Sequence, residues 1–318
     1  MFVVDISVII PVFNRAHTIG RCLDSVLGQT YPVTEVLLVD DCSTDDLESV
    51  LLGYNDTRIK HIRHDRNLGA QAARNTGIQS SNCRWVAFQD SDDEWGSQKI
   101  EKQVAALSGV KFEPFTVVHC NATKVLNGGK SHIPYILPTV EGSNCYDLLL
   151  KTPGPMYQGI LTSKMALNSI GRLDETLVSH QEWDTSIRLA KRCNYIHVQE
   201  TLVTYHIQSE GTISGNKENQ IIGYEQVFDK HVLQNDAVDE NTIFNHYLSL
   251  YIKSSQLNLN NARSRFWKLM LNYDKRELYK ISLLKLLGKP LTELNKTGRL
   301  INLIVEAMFR VKFRLLFR

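Results

Sequence analysis

Three carboxylates fall within four residues at Asp90-Ser91-Asp92-Asp93. Acids this close repel one another, and each makes it harder for the others to ionise. A divalent cation relieves that repulsion. Hard oxygen donors suit Mg2+ or Mn2+, which commonly complete their shells with substrate phosphate oxygens. A plainer role fits the same residues, because Ser91 or Asp93 could cap a helix beginning near Gly96. Residue type alone leaves both readings open. Two further polar groups stand in similar places, Phe13-Asn14 and Asp40-Asp41, each directly after an apolar run.

The elements that must position these residues alternate between two periodicities. Ile6–Ile10, Val36–Val39, Arg58–Arg63 and Trp85–Phe88 read as strands. Between them, Thr18–Gln29 places Ile19, Leu23, Val26 and Leu27 on one helical side, a short helix runs through Val50 and Leu51, and Gly69–Gln79 reads as another helix. Apolar strands alternating with helices predict an α/β fold with a mostly parallel sheet covered on both faces. Ligands bind such sheets beyond the carboxyl ends of the strands. Phe13-Asn14, Asp40-Asp41 and Asp90–Asp93 all lie at such ends, so they are expected to converge on one site.

Residues 112–159 carry five of the eight prolines and read as a strand or two joined by long loops. Glu182–Arg192 follows as a helix and Leu202–Ile207 as a strand. Helical patterns alone continue at 242–257, 262–271 and 276–287, which places a boundary near residue 216. The expected organisation is a catalytic region over 1–215 and a helical C-terminal region over 216–318.

Bulk composition excludes several function classes. The 318 residues are 43% hydrophobic, enough for a substantial core. A net charge of +2 gives no general attraction to nucleic acid. The six cysteines lack metal-ligand spacing and read as free thiols of a cytoplasmic protein. The apolar run at Ile6–Val12 follows Asp5 rather than a basic stretch, so it reads as a strand and not a secretory signal. No run of 18 uncharged apolar residues predicts a transmembrane helix.

Four segments, taken in order, resemble the successive motifs of the family 2 glycosyltransferases. They are Ile6-Ser7-Val8-Ile9-Ile10-Pro11-Val12-Phe13-Asn14, Val39-Asp40-Asp41-Cys42-Ser43-Thr44-Asp45, Asn67-Leu68-Gly69-Ala70-Gln71-Ala72-Ala73-Arg74-Asn75 and Phe88-Gln89-Asp90-Ser91-Asp92-Asp93-Glu94-Trp95. The resemblance covers residues 4 to 210 and implies a GT-A fold and inverting sugar transfer from a nucleotide-sugar. It implies that Pro11, Phe13 and Asn14 line the base pocket. Asp41 would accept a hydrogen bond from the base, which suits the N3–H of uracil. Arg74 would hold this edge of the site near the nucleotide, or else pair with a site carboxylate. Asp90 would lie towards the ribose or sugar, and Asp92 would bind Mn2+ or Mg2+.

His180-Gln181-Glu182-Trp183-Asp184-Thr185-Ser186-Ile187-Arg188 resembles the family's second acidic motif. Aligned on Arg188, it puts the catalytic base at Glu182, where Asp is commoner, with Asp184 as the runner-up. His206 would be a second metal ligand or a structural histidine. Asp93, Trp95, Trp183 and Asp184 are candidates for the acceptor side, with core packing as the alternative for the tryptophans. Pro11-Val12-Phe13-Asn14-Arg15 stands where a nucleotidyltransferase would carry a Gly-rich basic loop. An inactive carbohydrate-binding or scaffold protein is the other alternative, and the presence of both Asp92 and Glu182 counts against it.

Residues 288–318 hold seven Lys and Arg against two Glu. Arg299, Asn302, Glu306, Arg310, Arg314 and Arg318 recur at helical spacing beside a broad apolar face. That pattern predicts a helix over 299–318 lying on the inner face of the membrane, near a lipid-linked saccharide acceptor, or else packed on the catalytic domain or in a homodimer.

Overall fold

The computed structural model describes residues 4–126, 131–135, 139–207, 216–270 and 272–273. The chain divides into two compact units that meet between Asn216 and Lys217. The helical pattern at 276–287 and the basic segment 299–318 lie outside the described residues.

The first unit is built on a nine-stranded sheet, counted among the described residues. Its strands are β1 (Ile6–Val12), β2 (Glu35–Asp40), β3 (Ile59–Arg63), β4 (Trp85–Phe88), β5 (Glu94–Trp95), β6 (Thr116–Leu126), β7 (Ser131–Tyr135), β8 (Leu161–Ser163) and β9 (Asn194–His206). The order is β3-β2-β1-β4-β8-β6-β9-β5, with β7 also on β6. Strands β1 to β4 pair in parallel, as their alternation with helices requires. Beyond β4 the sheet is mixed: β8 is antiparallel to β4 and β6, β9 is parallel to β6, and β5 is antiparallel to β9.

Helices α1 (Ala16–Leu27), α2 (Leu47–Leu52) and α3 (Ala70–Ser80) connect the parallel strands. Every residue of β1 is buried, which explains its unbroken apolar run. Ile6, Val8, Ile10 and Val12 join a core with Ile19, Leu23 and Val26 of α1, while Gly77 of α3 sits against Ile9. Alternate β1 residues therefore serve opposite faces.

The acidic segment behaves differently from a helix cap. Glu94–Trp95 forms β5, and α4 (Lys99–Gly109) starts only at Lys99, after Gln98. Neither Ser91 nor Asp93 caps it. After β7 come α5 (Tyr146–Leu149), a 3-10 turn at Tyr157–Gly159, α6 (Lys164–Ser169) and α7 (Gln181–Ala190). Strand β9 starts eight residues before the expected Leu202, because its first half pairs with β6.

In the second unit, α8 (Lys217–Phe228), α9 (Glu240–Gln256) and α10 (Asn260–Met270) bury Phe228, Phe244, Leu250, Phe266 and Met270. Asp239 caps α9 through Thr242 N at 2.8 Å. Among the described residues no helix is long and apolar enough to cross a membrane.

Close packing of α3 on β1 makes Gly77 the most exacting contact of that layer. A Cβ there would lie 2.4 Å from Ile9 Cγ2. Alanine raises helix propensity by about 1 kcal/mol relative to glycine, but overpacking costs about 1–3 kcal/mol. Gly77→Ala is therefore expected to lower the urea midpoint of unfolding; an unchanged or higher midpoint would show that the layer yields without cost.

Candidate active site

Strand ends β1, β2 and β4 bring the sequence candidates to one edge. Directly after β1, Asn14 takes a left-handed backbone with φ 52°, a conformation asparagine tolerates better than most residues. Its side-chain oxygen accepts from Thr44 N at 2.7 Å, and its backbone N–H donates to Ser43 Oγ at 2.9 Å. Asn14 thus clamps the β1 and β2 loops together. Pro11 is buried inside β1 opposite Val39, whereas Phe13 is 42% exposed and offers an aromatic face.

The two aspartates after β2 divide their work. Asp40 is fully buried; it accepts from Arg63 Nη1 at 2.5 Å and from Ser43 N at 2.8 Å. Asp41 accepts from Leu68 N at 2.8 Å and Gly69 N at 2.7 Å, and meets His64 Nδ1 at 2.8 Å. A carboxylate has about four acceptor positions, so Asp41 retains acceptor capacity beyond these contacts.

Around the acidic turn, Arg74 Nη2 donates to Asp90 Oδ1 at 2.6 Å and Nη1 to Gln71 Oε1 at 3.0 Å. The salt-bridge alternative for Arg74 is therefore what the structure contains. Arg15 Nε lies 3.6 Å from Asp92 Oδ2, and Arg21 Nη2 donates to the Asp92 carbonyl. These cations do not cancel the acidity. Burial and then the neighbouring Asp90 push the Asp92 carboxyl up from its ordinary range. Burial, then Asp90 and Asp92, raise Asp93 well above it. The same acids, after burial, raise the Cys22 thiol.

His206 arrives at this turn from the far end of β9. Its backbone N–H donates to Asp93 Oδ1 at 2.8 Å, and its Nε2 meets Glu94 Oε1 at 2.6 Å. Among the described residues, no three His, Cys, Asp or Glu side chains form a ready-made metal site. The Asp92 carboxylate and His206 imidazole suit Mn2+ or Mg2+ in kind. Such an ion would need substrate oxygens to complete its shell. The residues fit an open site rather than a structural one.

Glu182 stands in the first turn of α7, where a carboxylate is favoured by the helix dipole. It is partly exposed. Burial, and then the Glu182 charge, raises the Tyr135 hydroxyl of β7. Asp184 lies in the same first turn but not at the surface. It is fully buried and pairs with Arg188 at 2.7 Å.

The remaining acceptor-side candidates lie in the interior, where the tryptophans take their core-packing alternative. Trp183 is fully buried, with Nε1 donating to Leu149 O at 2.6 Å. Trp95 donates to Gln158 O at 3.0 Å and carries Lys99 Nζ 3.9 Å from its ring centre. Asp93 is fully buried between Gln158 Nε2 and His206 N. All four, Asp184 included, serve the interior. Sequence reasoning passed over Arg21, Glu94, Tyr157 and Gln158. Arg21 carried a signal, being a basic residue of the helix that follows β1, beside an acid-rich edge. The others became visible only once distant segments met.

Residues 7–147 match the family model described as Glycosyl transferase family 2. The match spans 141 of the 318 residues. It is 40% identical over 102 residues to the Escherichia coli UDP-Glc:alpha-D-GlcNAc-diphosphoundecaprenol beta-1,3-glucosyltransferase WfgD, a match spanning 32% of this chain and 40% of that protein. It is 29% identical over 220 residues to Escherichia coli WfaP, which bears the same activity name, spanning 68% of this chain and 82% of the relative. The chain thus spans less than half the length of WfgD and most of WfaP. In fold it is similar to S. aureus TarS 1-349 in complex with UDP-GlcNAc, with a TM-score of 0.59, 20% identity, and coverage of 79% of this chain and 72% of that one. The GT-A architecture expected from the motifs is the architecture present.

The raised Asp92 carboxyl has a stability consequence with a definite sign. Folded protein holds more protons there than unfolded protein, so stability falls as pH rises above the unfolded carboxyl value. In EDTA, Asp92→Asn is expected to melt above the wild type at pH 7.5, with the gap closing towards pH 4. A lower melting temperature for the variant across that range would contradict this balance.

Proposed function

We propose that this protein is an inverting, metal-dependent glycosyltransferase that moves a sugar from a UDP-sugar to a hydroxyl of a lipid-linked saccharide in polysaccharide assembly. The observation that carries this reading is the arrival of His206 at the turn that holds Asp92 and Asp93. The His206 backbone N–H donates to Asp93, 113 positions away, and its imidazole meets the Glu94 carboxylate at the acid-rich strand edge.

Phe13 and Asp41 give the nucleotide base an aromatic face and an acceptor for an N–H. Asp92 and His206 would hold Mn2+ or Mg2+, which supplies positive charge to the departing diphosphate. Glu182 accepts the proton of the acceptor hydroxyl as its oxygen bonds to the anomeric carbon. The bond from that carbon to the diphosphate oxygen breaks, and its electron pair leaves with the diphosphate. One displacement with one base inverts the anomeric centre. The relatives named for undecaprenol-linked acceptors and the UDP-GlcNAc complex of TarS support the substrate class. They leave the sugar itself to experiment.

UDP release from a panel of UDP-sugars, with an undecaprenyl diphosphate saccharide and Mn2+, tests the reaction. EDTA and Glu182→Gln are each expected to lower turnover at least 100-fold, within the range general-base removal gives. Metal-independent turnover would overturn the cation's role. Binding of UDP-sugar without turnover on any acceptor would favour a carbohydrate-binding protein.

The basic segment 299–318 is proposed to lie on the anionic inner leaflet, close to such an acceptor. Truncation after Gly298 is expected to abolish sedimentation with phosphatidylglycerol vesicles while leaving the rate on a short-chain soluble acceptor within about twofold, since membrane recruitment acts on local concentration. Unchanged sedimentation of the shortened protein would remove the membrane role.

A further inference from the structure

The 3-10 turn Tyr157–Gly159 contacts both halves of the site. Tyr157 and Gln158 are each only 3% exposed. On one side, the Tyr157 hydroxyl lies 2.8 Å from Gln71 Nε2, 3.1 Å from Gln181 O and 2.7 Å from Thr185 Oγ1. Gln71 donates to it, and it donates to Gln181 O, so the Thr185 hydroxyl completes the set as a donor. Gln181 and Thr185 bracket Glu182 on α7. The same ring carries the Arg74 guanidinium 4.5 Å from its centre and packs on Phe88 at 5.4 Å. One buried phenol thus joins α3, β4 and the base-bearing turn.

Gln158 serves the other side. Its Nε2 donates to Asp93 Oδ2 at 2.7 Å, while Asp93 Oδ1 accepts from His206 N. Its carbonyl accepts the Trp95 indole N–H. Gly159 ties the turn to α4 and lies close on β6: its carbonyl accepts from Gln103 Nε2 at 2.7 Å, and a Cβ at Gly159 would lie 3.2 Å from Cys120 O.

We infer that Tyr157 and Gln158 are positioning residues, and that this single turn sets the separation between the base Glu182 and the cation-side pair Asp92 and His206. The inference rests on the reaction proposed above. An in-line displacement needs the base on one side of the anomeric carbon and the leaving-group contacts on the other. Misplacement by about 1 Å costs on the order of 100-fold in rate. Tyr157 sets the first position and Gln158 the second, and their adjacency in the chain leaves no flexible link between them.

Tyr157→Phe keeps the ring and removes three hydrogen bonds; Gln158→Met keeps the side-chain length and removes one. Tyr157→Phe is expected to lower kcat roughly 10- to 100-fold with the donor KM within about twofold. Gln158→Met is expected to raise the Mn2+ concentration for half-maximal activity about tenfold, as loss of an outer-shell support does, with kcat at saturating Mn2+ nearly unchanged. Hydrogen exchange gives a readout independent of activity: amides at 182–185 speed up in the first variant and the His206 amide in the second. Wild-type kinetics and Mn2+ response in both variants, or equal loss of every parameter with faster exchange throughout the unit, would overturn the brace. Asp92→Asn and Glu182→Gln run in parallel separate the two claims. If those retain wild-type turnover, the reaction assignment fails and the brace with it. If they are inactive while Tyr157→Phe and Gln158→Met behave as wild type, the brace alone falls.

Discussion

Negative charge crowded at the end of β4 is the constraint around which this site is organised. Asp90, Asp92 and Asp93 leave a buried strand together, and burial raises the cost of ionising Asp92 and Asp93. Each acid has its own compensation. Asp90 takes the Arg74 guanidinium, Asp92 has Arg15 beside it, and Asp93 takes N–H donors from Gln158 and His206. Those partners come from α3, the β1–α1 junction, the Tyr157–Gly159 turn and β9. Satisfying three carboxylates therefore draws in most of the unit's architecture. The mixed second half of the sheet supplies donors that the first half lacks: β9 runs in the same direction as β4, so its end brings His206 to the same edge.

Local periodicity made the first half legible. The apolar runs of β1, β2 and β4 and the amphipathic α1 are properties of neighbouring residues, and they placed Phe13, Asp41 and Asp90–Asp93 at one edge. The second half was less readable for a physical reason. Strand β9 depends on β6 for most of its length, β5 has only two residues, and the Tyr157–Gly159 turn has no periodic pattern. Such elements are defined by partners distant in sequence, so a local reading finds only fragments of them.

Residue type also misled in an instructive direction. Trp95 and Trp183 flank acids, as sugar-stacking residues might be expected to do. Yet both indoles are spent on buried carbonyls. A large aromatic with one polar atom fills interior volume and ties off one orphan acceptor at once. Asp184 follows the same logic: an acid with an Arg four residues later, both on one helix, is a self-contained pair. Glu182 has no basic residue at that spacing within α7 and occupies the first turn, where the dipole favours its charge.

The arginines around the acidic turn do not make a cation redundant. Arg74 is committed to Asp90, Arg15 stands off Asp92 at 3.6 Å, and Arg21 reaches the Asp92 carbonyl and, at 3.8 Å, the Glu94 carboxylate. Despite them, Asp92 and Asp93 remain harder to ionise than free aspartates. A diphosphate approaching this edge adds further negative charge to a region already carrying too much. On the proposed reading, the cation and the diphosphate each remove the obstacle to the other. The acids attract the ion, the ion offsets their repulsion of the diphosphate, and the diphosphate supplies the oxygens that the protein does not. Their affinities must then be coupled reciprocally, which gives a physical reason for a transfer site that gathers no three-residue metal cluster among the described residues.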